Sequence, residues 1–232
     1  MKAILFDFGG TLDTDGIHWS EKLWEIYNLN KVPVTKEEFE KAFVNGEKKL
    51  KPLLTQGDGL KSTFNKKVRC EFEYLVENNY LNEIDEDMLS SVVKDCIAVS
   101  LVNTNVSKEI LGELKEKFKL GVVSNYYGNL DAVLKEVELF ELLDLTVDST
   151  VENTYKPDPE LYRVAMERIN SKPEDTIIVG DSYKNDIDPG KKLGAKTVWL
   201  DVQSWTRPAS TDSADFIIRT LADLKDIVYK NT

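Results

Sequence analysis

The chain has 232 residues, of which 31% are charged and 41% hydrophobic, and its formal net charge is −11. This size fits one core domain carrying a substantial insertion, or two modest domains. The acidic balance argues against a nucleic-acid or anionic-membrane surface, but leaves an anionic substrate open, because a metal ion can invert the charge of a site.

The first element is the apolar run Ala3-Ile4-Leu5-Phe6, a buried strand that stops where Asp7 appears. Gly9, Gly10 and Thr11 follow at once as a tight turn. Asp7 therefore stands at the carboxyl end of a strand, where open α/β sheets keep their ligand sites. Taken alone, it reads equally well as a helix N-cap or turn residue. Asp13 to His18 is a loop, and from Trp19 to about Asn103 the pattern is helical. Thr35 with Glu38 forms a capping box that opens a helix bearing Phe39, Ala42 and Phe43 on one face. Gln56 to Gly59 is a break. Phe64, Val68, Phe72 and Leu75 then mark a helix from about Leu60 to Asn79, and another runs from about Asp85 to Val102. The aromatic residues of this region read as packing between helices.

From Asn105 the elements alternate. A helix over Val106–Phe118 precedes a strand from Leu120 that ends in Ser124 and Asn125. A helix over Asn129–Val137, a strand up to Val147 and a helix over Asp158–Ile169 follow; the segment from Asp144 to Lys156 reads as largely exposed. Next come a strand from Thr176 that ends in Asp181, a helix over Asn185–Leu193 and a strand over Lys196–Leu200. The chain closes with a polar loop over Gln203–Ser213, a short strand at Phe216–Ile218 and a helix over Leu221–Tyr229. Such alternation predicts an α/β fold with a doubly wound, mainly parallel sheet. The helical block becomes an inserted cap over residues 15–103, with residues 1–14 and 104–232 forming the core.

No apolar run approaches the ~20 residues of a membrane span, and the N-terminal run meets Asp7 too soon for a signal peptide. The expected location is cytoplasmic. Cys70 and Cys96 fit no metal-ligand spacing and read as thiols in the core or on helix faces. His18 is the single histidine, so a histidine-based metal cluster is excluded.

In a parallel sheet the strand ends carrying Asp7, Ser124 and Asp181 share one edge. An oxygen-rich site without histidine or cysteine suits Mg²⁺. Lys156 precedes Pro157, which biases it toward extended geometry, and Asp158-Pro159 looks like an N-cap and first helical turn. On that edge Lys156 could bridge Asp7 and a phosphate; elsewhere it would be a solvated surface lysine.

Four segments then stand in order: Asp7-Phe8-Gly9-Gly10-Thr11-Leu12, Val122-Val123-Ser124-Asn125, Lys156-Pro157-Asp158-Pro159, and Val179-Gly180-Asp181-Ser182 with Asp186. Together they resemble the motifs of haloacid dehalogenase (HAD) superfamily hydrolases, over nearly the whole chain. The helical insertion is similar to the cap of subfamily I. The resemblance implies that Asp7 is a nucleophile forming an aspartyl-phosphate. It implies that Asp7, the carbonyl of Gly9 and Asp181 hold Mg²⁺. It also implies that Thr11 and Ser124, with backbone N–H groups around Gly10 and Asn125, bind the phosphoryl oxygens. Lys156 would neutralise charge, and Asp186 would position Lys156 or a metal-bound water.

One position departs from the pattern. The family's usual acid–base aspartate, two residues after the nucleophile, is Gly9 here. Asp13, Asp15 and His18 lie just downstream and could substitute, but the two aspartates read more simply as turn residues and His18 as the start of a helix. The expected function is a Mg²⁺-dependent phosphatase of a small phosphomonoester, as a monomer or homodimer. The alternatives are a 2-haloacid dehalogenase, which needs no acid at position 9 but also no acidic pair for a metal, and a non-catalytic binding protein that kept the fold.

Overall fold

The computed structural model describes residues 2–203 and 207–230. In chain order the elements are β1 (Ala3–Phe6), α1 (Trp19–Leu29), α2 (Lys36–Leu50), α3 (Leu60–Glu77), α4 (Glu86–Lys115), β2 (Lys119–Ser124), α5 (Leu130–Glu136), β3 (Leu145–Asp148) and α6 (Ser149–Glu152). After these come α7 (Glu160–Ile169), β4 (Thr176–Gly180), α8 (Asp188–Leu193), β5 (Lys196–Leu200), β6 (Phe216–Ile218) and α9 (Leu224–Lys230). The strands form one sheet in the order β3-β2-β1-β4-β5-β6, and every neighbouring pair is parallel. The fold is the doubly wound α/β sheet that the alternation predicts.

The first strand lies inside the sheet because both of its faces are apolar. Ile4 and Phe6 point into the larger core, with Leu120, Val122, Ile177, Val179, and Leu111 and Leu114 of α4. Ala3 and Leu5 point the other way, onto Leu161, Tyr162, Ala165 and Met166 of α7. The chain runs from β1 outward through β2 and β3, then returns to pair β4 on the other flank of β1. The order reverses at β1, and such a switch point opens a crevice at the carboxyl ends of the strands.

Helices α1 to α4 share the larger core. Tyr27 sits between Phe39 and Phe72, with ring centroids 4.9 and 5.7 Å away. The Thr35–Glu38 capping box is formed. Cys70 and Cys96 are buried free thiols, and no helix among the described residues is long and apolar enough to cross a membrane.

The structure corrects several boundaries. The helices expected over 85–102 and 106–118 are one continuous helix of 30 residues, α4. The polar triplet Asn103-Thr104-Asn105 resembles a break, but Asn103 Nδ2 donates to the Val99 carbonyl and Thr104 Oγ1 to the Ser100 carbonyl. These side chains bond back onto their own helix instead of ending it. The helix expected from Asn185 begins as a π turn, Tyr183–Ile187, before α8. Segment 144–156 is not a largely exposed stretch, since Val147, Asp148, Ser149 and Lys156 are buried. Within the loop expected over 203–213, residues 204–206 lie outside the described residues; Gln203 bridges to Ile17.

Candidate active site

Three strand ends and one loop meet at the sheet edge. Asp7 follows β1, Ser124 ends β2 and Asp181 follows β4. Ser124 Oγ donates to Asp7 Oδ1 over 2.8 Å. Lys156 is 5% exposed, and its Nζ lies 2.8 Å from Asp7 Oδ1 and 2.6 Å from Asp186 Oδ1, with a further bond to the Val123 carbonyl. Lys156 is therefore a buried bridge, and the solvated reading does not hold. Asn125 pins the loop that carries it: its side chain accepts from the Lys156 N–H and donates to the Lys156 carbonyl, both at 2.9 Å. Asp158 does not cap α7 in the expected way, because Pro159 occupies the N-cap position; Asp158 Oδ1 accepts from the Glu160 N–H.

Asp186 reaches the site from the π turn. Its Oδ1 also accepts from the Tyr162 hydroxyl, and its Oδ2 from the Ser182 N–H. Carboxylate oxygens of Asp7, Asp181 and Asp186, all buried, lie within 4.8 Å of one another. Burial, with Asp7 and Asp186 nearby, pushes the Asp181 carboxyl well above the ordinary carboxylate range. Burial also raises Asp186, to about 6, against the pull of Lys156. The Lys156 ammonium is disfavoured by burial, but the Asp186 and Asp7 charges more than offset this and hold it above the ordinary lysine value.

Gly10 adopts φ +98°, and a Cβ there would lie 2.6 Å from the Asp181 carboxylate, so the turn must pass this close without a side chain. The Gly10 N–H, expected to face a phosphoryl group, donates to Asp13 Oδ1 over 2.8 Å. Thr11, expected to reach the phosphoryl oxygens, is fully buried; its hydroxyl donates to Asp181 Oδ1 and accepts from the Asp181 N–H, both at 3.0 Å. Thr11 thus fixes Asp181. His18 caps α1, its side chain accepting from the Ser20 N–H.

A cavity of about 260 Å³ opens over these groups, bordered by Asp7, Gly9, Lys156 and Asp181 on the sheet side. Trp19, Phe43, Glu47, Phe64 and Lys67 from α1 to α3 border it opposite, together with Tyr126 and Tyr127. Lys67 Nζ pairs with Glu47 and lies 4.5 Å from the Phe43 ring centre; the Tyr127 hydroxyl donates to Glu47 Oε2 over 2.6 Å. Burial lowers the Lys67 pKa. A larger cleft of about 760 Å³ lies beyond Asp181, beside Arg207–Ser213, but Asp7 and Lys156 do not border it. Of the two, the smaller is the one bordered by Asp7, Lys156 and Asp181 together.

The walls that α2 and α3 contribute to the cavity are not among the residues the sequence points to. A signal was present: Lys67 and Glu71 fall on the same stripe as Leu60, Phe64 and Leu75, so two charges sit on an inward face. Asp13 reads from the sequence as a turn residue. Asp13 does hold the Gly10 N–H, yet it is 2% exposed, borders the cavity and receives the Trp19 indole N–H at Oδ2 over 2.7 Å. Burial raises its carboxyl to about 7, opposed by the bonds from Gly10 and Trp19.

The model of haloacid dehalogenase-like hydrolases matches residues 1–194. The chain belongs to this family. Among related HAD-like proteins, the Rhythmically expressed gene 2 protein of Drosophila melanogaster is 36% identical over 109 residues, covering 44% of this chain and 42% of that protein. The glyceraldehyde 3-phosphate phosphatase of Pyrococcus furiosus is 29% identical over 127 residues, covering 53% and 52%. The chain thus spans about half the length of these curated relatives. A solved dehalogenase structure with an intermediate complex superposes with a TM-score of 0.68 at 19% identity, covering 98% of this chain and 96% of that one, which shows the shared fold.

Proposed function

We propose that this hydrolase is a Mg²⁺-dependent phosphatase of a small phosphomonoester, acting through phosphorylated Asp7. The observation that carries the reading is the buried set Asp7, Asp181 and Asp186 facing the Lys156 ammonium. These carboxylates outnumber that ammonium in a desolvated site, which fits a hard divalent cation. Asp7, the Gly9 carbonyl and Asp181 would hold the ion, which when bound would draw charge from the phosphoryl oxygens. Asp7 attacks phosphorus; Lys156 neutralises Asp7 and the phosphoryl group, and Ser124 orients Asp7. Asp186 and Tyr162 keep Lys156 aimed at Asp7, and Thr11 keeps Asp181 in place. Most of this is positioning and electrostatic stabilisation, as phosphoryl transfer requires.

The volume of the cavity suits a small leaving group, and the name of the Pyrococcus furiosus relative supports a phosphorylated substrate. Residues 15–103 act as the helical cap that carries the substrate-facing wall, over a core of residues 1–14 and 104–232. A dehalogenase would use the same Asp7 on carbon, but would leave the acidic pair of Asp181 and Asp186 beside it with no metal to hold.

The test is hydrolysis of 4-nitrophenyl phosphate by the wild type and by Asp7→Asn, each with Mg²⁺ and with EDTA. Turnover is expected only for the wild type with Mg²⁺. Equal turnover by Asp7→Asn would refute the nucleophile, and full turnover in EDTA would refute the metal.

A further inference from the structure

We infer that Asp13 is the proton-transfer group of this site, replacing the side chain that Gly9 lacks; the inference rests on the phosphatase reading above. A Cβ built on Gly9 would meet Trp19 Cδ1 at 3.7 Å, an ordinary contact. The next atom of the same ring, Nε1, donates to Asp13 Oδ2 over 2.7 Å. Trp19 therefore holds the Asp13 carboxyl beside the space into which a position-9 side chain would project. Asp13 borders the same cavity as Asp7. The Gly10 N–H takes one acceptor site on Oδ1 and the Trp19 indole one on Oδ2, and the Asp13 backbone N–H adds a weaker bond. A carboxylate has about four such sites, so one is left for a proton. Burial holds the proton near neutral pH, where a general acid works best.

The step balances as follows. An oxygen of Asp7 bonds to phosphorus while the bond from phosphorus to the ester oxygen breaks. The electron pair goes to that oxygen, which takes the Asp13 proton and leaves as the alcohol. Asp13, now a carboxylate, takes a proton from the water that attacks the phosphoaspartate, and Asp7 leaves phosphorus to give inorganic phosphate.

The dependence of rate on leaving group separates this role from a merely structural one. An acid matters most when the leaving group is poor, so kcat/KM is compared for phenyl phosphate and 4-nitrophenyl phosphate. The wild type should handle both within about tenfold. Asp13→Asn should lose about 10²-fold or more on phenyl phosphate, the usual size of acid–base help, and far less on 4-nitrophenyl phosphate. Adding Gly9→Asp to Asp13→Asn should restore the phenyl ester, because position 9 has room and its φ lies outside the left-handed region. Equal losses on both esters would overturn the role and leave Asp13 as a turn clamp. If Asp13→Asn does not fold, the wild-type ratio decides, and a drop of about 10²-fold or more from the nitrophenyl to the phenyl ester overturns it. A wild type that hydrolyses neither ester overturns the phosphatase reading itself.

Discussion

Replacing Lys156 by Met removes a buried cation but keeps its stem. Lys156 Nζ now bonds Asp186 Oδ1 at 2.6 Å, Asp7 Oδ1 at 2.8 Å and the Val123 carbonyl at 3.1 Å. In the variant, Asp186 keeps the Tyr162 hydroxyl and the Ser182 N–H, and Asp7 keeps Ser124. The hydrogen bonds that remain are not a countercharge, and breaking a buried ion pair from one side costs about 3–5 kcal/mol. For a chain of this length each kcal/mol moves Tm by about 2–4 °C, so Tm should fall by about 6–20 °C at pH 8 in EDTA. Acid should narrow the gap. The Asp186 carboxyl is already raised to about 6 with the lysine present, so without it protonation near pH 5 relieves the charge. Mg²⁺ should also recover part of the loss by supplying positive charge to the same carboxylates. Differential scanning fluorimetry of both proteins, at pH 5 and 8 and with Mg²⁺ or EDTA, measures all three effects. A variant within about 2 °C of wild type at pH 8 in EDTA would show that the lysine does not hold this site together.

Two further outcomes follow from the same geometry. Glu71 is fully buried, takes the Tyr27 hydroxyl at 2.7 Å, and has its carboxyl raised from 4.5 to about 7, chiefly by burial. A raised acid stabilises the fold below its unfolded pKa and loses that contribution as pH climbs through the folded value, here roughly 3 kcal/mol between about pH 4.5 and 7. Urea titrations should show this decline in the wild type and a flatter profile in Glu71→Gln; parallel profiles would refute the assignment. Gly10→Ala places a Cβ at φ +98° and 2.6 Å from the Asp181 carboxylate. It should cost about 1–2 kcal/mol for the left-handed backbone alone, read by urea titration, and should raise the Mg²⁺ concentration needed for half-maximal turnover. An unchanged Mg²⁺ requirement would separate the turn from the metal site.

The sheet was legible because each buried strand announces its end. The runs before Asp7, Ser124 and Asp181 are apolar on both faces and stop at a polar residue, which places those groups on one edge. Lys156 was legible only through its place among the four ordered segments, since Asp158, read as a cap, yields that position to Pro159. The parts that were not legible depend on contacts made across the fold. The continuity of α4 depends on Asn103 and Thr104 bonding to their own helix backbone, a choice that their residue types leave open. The second face of Asp13 depends on Trp19, which arrives only when α1 docks. Thr11 reads from the sequence as a phosphate ligand, but Asp181 occupies both ends of its hydroxyl. Phe39, Phe64 and Phe72 of α2 and α3 do pack against aromatic residues of α1, as expected, but Phe43 and Phe64 also border the cavity. Periodicity marks an inward face; it does not mark which part of that face meets a hollow.

The unbroken α4 sets the angular register between α1–α3 and the sheet. Its first half packs Val92, Val93 and Cys96 among the helices, its second half packs Ile110, Leu111 and Leu114 on the sheet side, and Ser107 donates to the Leu12 carbonyl just beyond the glycine turn. A loop at this junction would absorb the loss of a residue. A helix converts it into a turn of about 100° and a shift of about 1.5 Å. Deleting the exposed Val102 would therefore swing Phe43, Phe64 and Lys67 away from Asp7 without changing a single residue that borders the cavity.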